Sequence, residues 1–71
     1  MNAKKTTFKI LDSKQPGDRF SGYSLMMDVK HQTGEIHYPS SMLRYLREYR
    51  QTTGREIKNV NKRKSIYEVG A

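Results

Sequence analysis

The stretch PSSMLRYLREYRQTTG, residues 39–54, carries the most regular helical pattern in the chain. Its apolar side chains recur three or four residues apart and form one stripe along a helix, made of Met42, Leu43, Tyr45, Leu46 and Tyr49. Ser40 or Ser41 can accept a hydrogen bond from an amide of the first turn, and Gly54 suits the position just past the last turn. We therefore predict a single amphipathic helix over residues 41–53, with its stripe facing a core.

The segments before this helix alternate apolar and polar residues, which is the pattern of half-buried strands. We predict strands over residues 6–12, 22–31 and 35–38, with a loop of turn-forming residues between the first two. In the second strand the apolar side chains on one face are Tyr23, Leu25, Met27 and Val29. Gly34 can adopt the positive φ of a tight turn, so the second and third strands are predicted to form a hairpin.

Two further strands are predicted after the helix, over residues 55–60 and 65–69, joined by a charged turn at residues 61–64. The resulting order, β-β-β-α-β-β, belongs to the α+β class, as a small antiparallel sheet packed by one helix. This order resembles that of a compact OB-type barrel, and loosely that of the sheet and helix at the front of some tyrosine recombinases. Both resemblances imply nucleic-acid binding, although a fold by itself does not establish a function.

The length of 71 residues predicts a single domain over residues 6–71, preceded by a flexible basic lead at residues 1–5. A chain of this size has a marginal core, which a homodimer or a bound partner would reinforce. Without cysteine it can form no disulfide and no thiolate zinc site, so we expect neither a metal nor another cofactor. No apolar run approaches the roughly 20 residues of a membrane helix, and we expect a cytoplasmic protein with no membrane partner.

Positive charge is concentrated in residues 44–64, which contain eight Lys or Arg and two acidic residues, a net +6 out of +7 for the whole chain. A field of this kind attracts polyanions before any specific contact forms. The predicted nucleic-acid-binding residues are Arg44, Arg47, Arg50, Gln51, Arg55, Lys58, Asn61, Lys62, Arg63 and Lys64. Arginine binds phosphate and guanine edges through two parallel hydrogen bonds, and Asn and Gln bond phosphates or bases. The alternative is a solvated helix face and a charged turn that protects an edge strand.

The five tyrosines raise the question of whether aromatic side chains stack on bases. Tyr23, Tyr38, Tyr45 and Tyr49 share predicted faces with aliphatic residues, so we assign all four to the core. Tyr67 lies beside the charged turn and is the one candidate for stacking. The sequence lacks the glycine-flanked aromatic residues that are typical of an RNA-recognition sheet.

The two histidines do not indicate a catalytic site. His31 and His37 flank the first predicted hairpin turn, near Asp28, but no third ligand or nucleophile is spaced to join them.

From the basic cluster and the absence of a catalytic set, we expect a small non-enzymatic nucleic-acid-binding protein of a phage or mobile-element type, with DNA preferred to RNA. The alternative is a small adaptor or inhibitor that docks on an acidic host protein, because charge steering would speed either association.

Overall fold

The computed structural model describes residues 2–70, which form three helices and a three-stranded antiparallel sheet. Along the chain the elements are α1 (Ala3–Asp12), β1 (Arg19–Ser21), α2 (Gly22–Thr33), α3 (Pro39–Thr53), β2 (Ile57–Asn61) and β3 (Ile66–Val69). The sheet order is β1-β3-β2, so the first strand pairs with the last. The α+β class is confirmed, but the predicted β-β-β-α-β-β order with one helix is wrong, and with it the OB-type topology. Met1 and Ala71, the ends of the predicted lead and domain, lie outside the described residues.

Helix α1 takes the place of the predicted strand at residues 6–12 and begins within the predicted lead. The side-chain oxygen of Asn2 caps it by accepting a hydrogen bond from the Lys4 backbone N–H at 2.8 Å. The buried residues recur four apart, as on one face of a helix, and are Thr6, Thr7, Ile10 and Leu11. Because two of these four are threonines, the apolar residues alone do not reveal the helical period.

Helix α2 takes the place of the predicted strand at residues 22–31. Ser21 and Ser24 form a capping box in which each side-chain oxygen accepts a hydrogen bond from the backbone N–H of the other. Leu25 and Val29 are its buried residues. They are four positions apart, so they lie on one face of a helix and equally on one face of a strand. The alternation in this segment therefore fits both structures.

Helix α3 confirms the helix predicted over residues 41–53 and begins two residues earlier, at Pro39. Gly34 and Gly54 end α2 and α3 in the left-handed conformation, with φ of 76° and 71°. A hairpin turn requires the same positive φ, which explains why the sequence pattern around Gly34 suggests a hairpin. The predicted third strand, residues 35–38, is an irregular connection between the two helices.

The predicted hairpin after α3 is confirmed by the antiparallel pairing of β2 with β3 around a turn at residues 62–65. A register shift between Asn59 and Asn61 marks a bulge near this turn. The core lies between the helices and the inner face of the sheet, and its buried apolar residues are Ile10, Leu11, Phe20, Leu25, Val29, Met42, Leu46, Tyr49, Ile57, Tyr67 and Val69.

Helices α2 and α3 are joined by a short connection at residues 34–38 and pack on each other and on α1, an arrangement that resembles a helix-turn-helix. The β2–β3 hairpin follows directly, and β1 completes the sheet beside β3. This topology leaves one side of α3 and residues 62–64 of the hairpin turn exposed.

Candidate nucleic-acid interface

The outward side of α3 carries three of the predicted arginines. Met42, Leu46 and Tyr49 are buried on the opposite side, and this burial determines which side chains face solvent. The exposed residues within about 120° of the helix surface are Ser40, Leu43, Arg44, Arg47, Arg50 and Gln51. We call this set the α3 outer face.

The hairpin turn carries three more predicted cations, Lys62, Arg63 and Lys64, all exposed, which we call the basic turn. Asn61 shapes it, because its side-chain oxygen accepts a hydrogen bond from the Lys64 backbone N–H at 3.1 Å. The Ser65 carbonyl accepts a hydrogen bond from the Gly22 N–H at 3.0 Å. The basic turn is therefore tied to the first residue of α2 and held beside the helix-turn-helix.

A groove joins the basic turn to the α3 outer face. Its volume is about 250 Å³, and it is lined by Gly22, Tyr23, Leu43, Arg63, Lys64 and Ser65. Leu43 comes from the α3 outer face, and the two cations come from the basic turn. The groove therefore borders both the α3 outer face and the basic turn, although none of the α3 arginines is among its lining residues.

A second groove, of about 480 Å³, lies at the C-terminal half of α3 and is lined by Arg47, Arg50, Gln51, Gly54, Arg55 and Glu56. Arg47 and Leu43 are one helical turn apart on the α3 outer face. The two grooves therefore follow one another along the helix, with cations in both.

The α3 outer face and the basic turn hold the unneutralised charge of this region. Within residues 2–70, no carboxylate lies within 4.0 Å of their six cations, although other basic residues do have partners. Lys4 pairs with Glu48 at 3.0 Å, and Arg19 pairs with Glu68 at 3.5 Å. The Arg44 guanidinium carbon lies 5.3 Å from the centre of the Tyr45 ring, a cation–π contact that orients the side chain without cancelling its charge.

Arg55 differs from the other predicted arginines because its guanidinium holds the fold together. Its Nη1 donates to the Leu11 carbonyl at 3.0 Å and lies 3.4 Å from the Tyr49 hydroxyl oxygen, and its Nη2 donates to the Lys14 carbonyl. The last carbonyls of a helix lack partners within the helix, so Arg55 completes the end of α1. Arg55 also lines the second groove, but its Nη1 and Nη2 atoms already donate to these oxygens.

Tyr49 links α3 to the same junction. Its hydroxyl donates to Asp12 Oδ1 at 2.8 Å. Burial raises the pKa of Tyr49 above its ordinary value of 10.0, the hydrogen bond from Arg55 opposes that rise, and Asp12 adds to it. The neutral hydroxyl therefore persists at neutral pH and keeps its bond to Asp12.

Lys58 also lies apart from the α3 outer face. Its ammonium is 3.3 Å from Glu56 Oε1, and it is paired across the sheet with Glu68. Because Arg19 on β1 is the other cross-strand neighbour of Glu68, this side of the sheet has a nearly balanced charge. We therefore remove Lys58 and Arg55 from the candidate interface and keep the other six basic residues with Gln51. Asn61 is kept only as the residue that shapes the basic turn.

Three of the five tyrosine assignments are wrong. Tyr23 and Tyr38, assigned to the core, are 68% and 75% exposed, because the strands that would have buried them do not exist. Tyr67, the stacking candidate, is 7% exposed and stacks on Phe20 with ring centres 5.6 Å apart. The core assignment of Tyr49 is confirmed, and Tyr45 is half-buried. The sequence does hold a signal for the exposure of Tyr23. This residue lies in the first turn after the Ser21 cap, and it does not share the helix face of Leu25 and Val29.

The two histidines do not flank a hairpin turn. His31 is exposed in the last turn of α2, and His37 lies in the connection to α3 with its Nε2 3.9 Å from Glu35 Oε2. Within residues 2–70, no group of three or more His, Cys, Asp or Glu side chains is placed to hold a metal ion. No helix in the same range is both long enough and apolar enough to span a bilayer.

No protein-family model, curated protein or solved structure matches this chain.

Proposed function

We propose that this chain is a small non-enzymatic nucleic-acid-binding protein whose preferred ligand is duplex DNA. The observation that carries the proposal is the set of six cations on the α3 outer face and the basic turn, two surfaces that border one groove, with no carboxylate of residues 2–70 within 4.0 Å of these cations. Charged side chains gathered on one surface without acidic partners are the electrostatic footprint of a polyanion site. A cysteine-free protein with such a ligand fits the cytoplasm.

The shape of this surface favours DNA over RNA. The second helix of a helix-turn-helix lies in the major groove of B-DNA, which is about 12 Å wide and admits an α-helix. The major groove of A-form RNA is too narrow for side chains to read. α3 is that second helix, and its outer face carries the arginines that suit guanine edges and phosphates.

The cations divide into two kinds of contact in this proposal. Arg44 and Arg47 lie in the first three turns of α3 and approach base edges or the phosphates beside them. Arg50 and the basic turn contact the sugar-phosphate backbone on either side of the DNA major groove. Long cationic side chains at the edge of an interface meet phosphates before they can reach base edges. The Tyr23 hydroxyl, at the start of α2, is a further phosphate donor.

A salt titration of binding to a fluorescent duplex tests the proposal. If about five or six phosphates are neutralised, log K falls against log salt with a slope of about −5. We expect Arg44, Arg47 and Arg50 replaced together by alanine to flatten the slope by about 2–3, and the same result for Lys62, Arg63 and Lys64, because each lost phosphate contact removes about 0.9. The matched control replaces Lys5, Lys9 and Lys30, three exposed cations on α1 and α2.

The control variant loses the same net charge from a different part of the surface, so its slope is expected to stay near that of the wild type. No binding at low salt would contradict the proposal. An equal loss in the control variant would show that net charge alone, and not this surface, drives the binding.

The second candidate function is docking on an acidic protein. Ile36 and Tyr38, in the connection before α3, are 65% and 75% exposed, and exposed apolar side chains of this kind are common in protein contacts. Capture of partners from a lysate, with and without nuclease treatment, separates the candidates. A partner retained after complete digestion supports the adaptor function, and a loss of every partner supports nucleic-acid binding.

A further inference from the structure

Leu43 is the one apolar residue on the α3 outer face. It is 46% exposed, directly precedes Arg44 and is one helical turn before Arg47. It also lines the groove shared with Tyr23 and the basic turn, so its exposed surface faces a concave, cation-rimmed space. Isolated exposed leucines are common, but this one sits where the proposed ligand would be in closest contact.

We propose, on the basis of the proposed function, that Leu43 contacts the methyl group of a thymine and so gives the protein a preference for thymine at one position of its DNA site. Among the base edges in the major groove, the thymine C5 methyl is the characteristic apolar group, and apolar side chains pair with it. An isobutyl side chain has no hydrogen bond to offer a base, so the methyl is its complementary partner.

The position of Leu43 along α3 supports this assignment. It is the fifth residue of the helix, which begins at Pro39. In helix-turn-helix proteins the N-terminal residues of the second helix are the ones that contact base edges. Leu43 therefore lies in the part of α3 that reaches deepest into the major groove.

The walls of the groove explain how a methyl would be brought to Leu43. Arg63 and Lys64 line the same groove, and phosphates attracted to them would seat the DNA over it. Contact with the DNA then removes water from Leu43 and from the apolar ring of Tyr23 together. Burial of this apolar surface stabilises the complex most when the opposing base edge is itself apolar, because a polar edge would lose its hydrogen bonds to water.

The experiment begins with selection of bound duplexes from a random library by the wild-type protein. A thymine enriched in the selected site is then replaced by deoxyuridine, which removes the methyl group and keeps every hydrogen-bonding atom. We expect deoxyuridine at one position to weaken binding about fourfold, the value of one buried methyl-sized group. With the Leu43→Ala variant, we expect thymine and deoxyuridine duplexes to bind equally.

Two controls separate a lost contact from lost structure. Leu43→Ala is expected to keep the wild-type melting temperature within a few degrees, because the side chain is half exposed, and to keep the wild-type salt slope. Ile36→Ala removes an exposed apolar side chain that does not line this groove, and it is expected to keep the thymine–deoxyuridine difference.

The outcomes distinguish this inference from the function on which it rests. Salt-dependent binding with no enriched thymine, or with equal affinity for deoxyuridine, overturns the Leu43 assignment and leaves the DNA-binding function standing. Persistence of the thymine preference in Leu43→Ala overturns it in the same way. Failure to bind any duplex at low salt overturns the proposed function itself.

Discussion

Arg47 and Arg55 belong to the same basic run of the sequence, yet their surroundings are opposite. Arg47 is exposed on α3, with no carboxylate within 4.0 Å in the described part of the chain. Arg55 turns its guanidinium inward to the carbonyls of Leu11 and Lys14. The comparison teaches that the role of a cation follows from the groups it contacts, and that a count of charges along the chain cannot distinguish a ligand-binding arginine from a structural one.

The difference has a simple local cause. Gly54 ends α3 in the left-handed conformation and turns the chain toward the end of α1, where helix carbonyls lack internal partners. Arg55 is the next residue, and its planar fork can donate to several oxygens at once. Arg47 is seven residues before Gly54, on the exposed side of α3.

The largest expected effect is on stability, from Arg55→Ala. Loss of hydrogen bonds from a charged, half-buried guanidinium is expected to lower the free energy of unfolding by about 2 kcal/mol and the melting temperature by about 8–16 °C. Thermal and urea unfolding followed by circular dichroism would measure both. Arg47→Ala is the matched control and is expected to change the free energy of unfolding by less than about 0.5 kcal/mol. Equal effects from the two substitutions would break the comparison.

A smaller effect is expected from Tyr49 at alkaline pH. Because the folded pKa is raised above 10.0, the unfolded chain releases the Tyr49 proton first. The contribution of Tyr49 to stability is therefore complete below about pH 10 and is lost as pH rises through the folded pKa. Urea unfolding at a series of pH values should show a steeper alkaline decline for the wild type than for Tyr49→Phe. Parallel curves for the two proteins would exclude this linkage.

The smallest expected effect is that of Lys58→Ala on DNA binding. Its ammonium is already paired with Glu56, on the side of the sheet where charges nearly balance, and exposed pairs of this kind contribute little to stability. We expect the salt slope to stay within experimental error of the wild type, whereas Lys62→Ala should flatten it by about 1. Fluorescence anisotropy measured in parallel would compare the two. A larger change for Lys58→Ala would return that residue to the interface.

About half of the fold could be predicted from local patterns. α3 and the β2–β3 hairpin have strong local signals, namely a long apolar stripe in one case and two short apolar runs around a charged turn in the other. α1 and α2 do not. The pair Leu25 and Val29 fits a strand and a helix equally. The buried side of α1 includes Thr6 and Thr7, two polar residues whose burial cannot be recognised from the sequence pattern.

The candidate site was predicted in part for the same reason. The arginines of α3 could be placed on its outer side because Met42, Leu46 and Tyr49 define the opposite side, although Leu43, predicted within the same stripe, lies on the outer face. The exposure of Tyr23 depends on α2 being a helix, and the engagement of Arg55 depends on the end of α1 lying next to it. The second of these depends on residues far apart in the sequence, since Arg55 and Leu11 are separated by 44 positions.

The sequence by itself determined the excess of positive charge, the amphipathic helix α3 and the hairpin after it, because periodicity and composition act over short distances along the chain. Only the tertiary structure decided which cations face solvent together. The hydrogen bond from Gly22 to Ser65 holds the basic turn beside the helix-turn-helix, and Arg55 is withdrawn to the end of α1. Both contacts join residues far apart in the chain, and they form only when the core brings the helices and the sheet together.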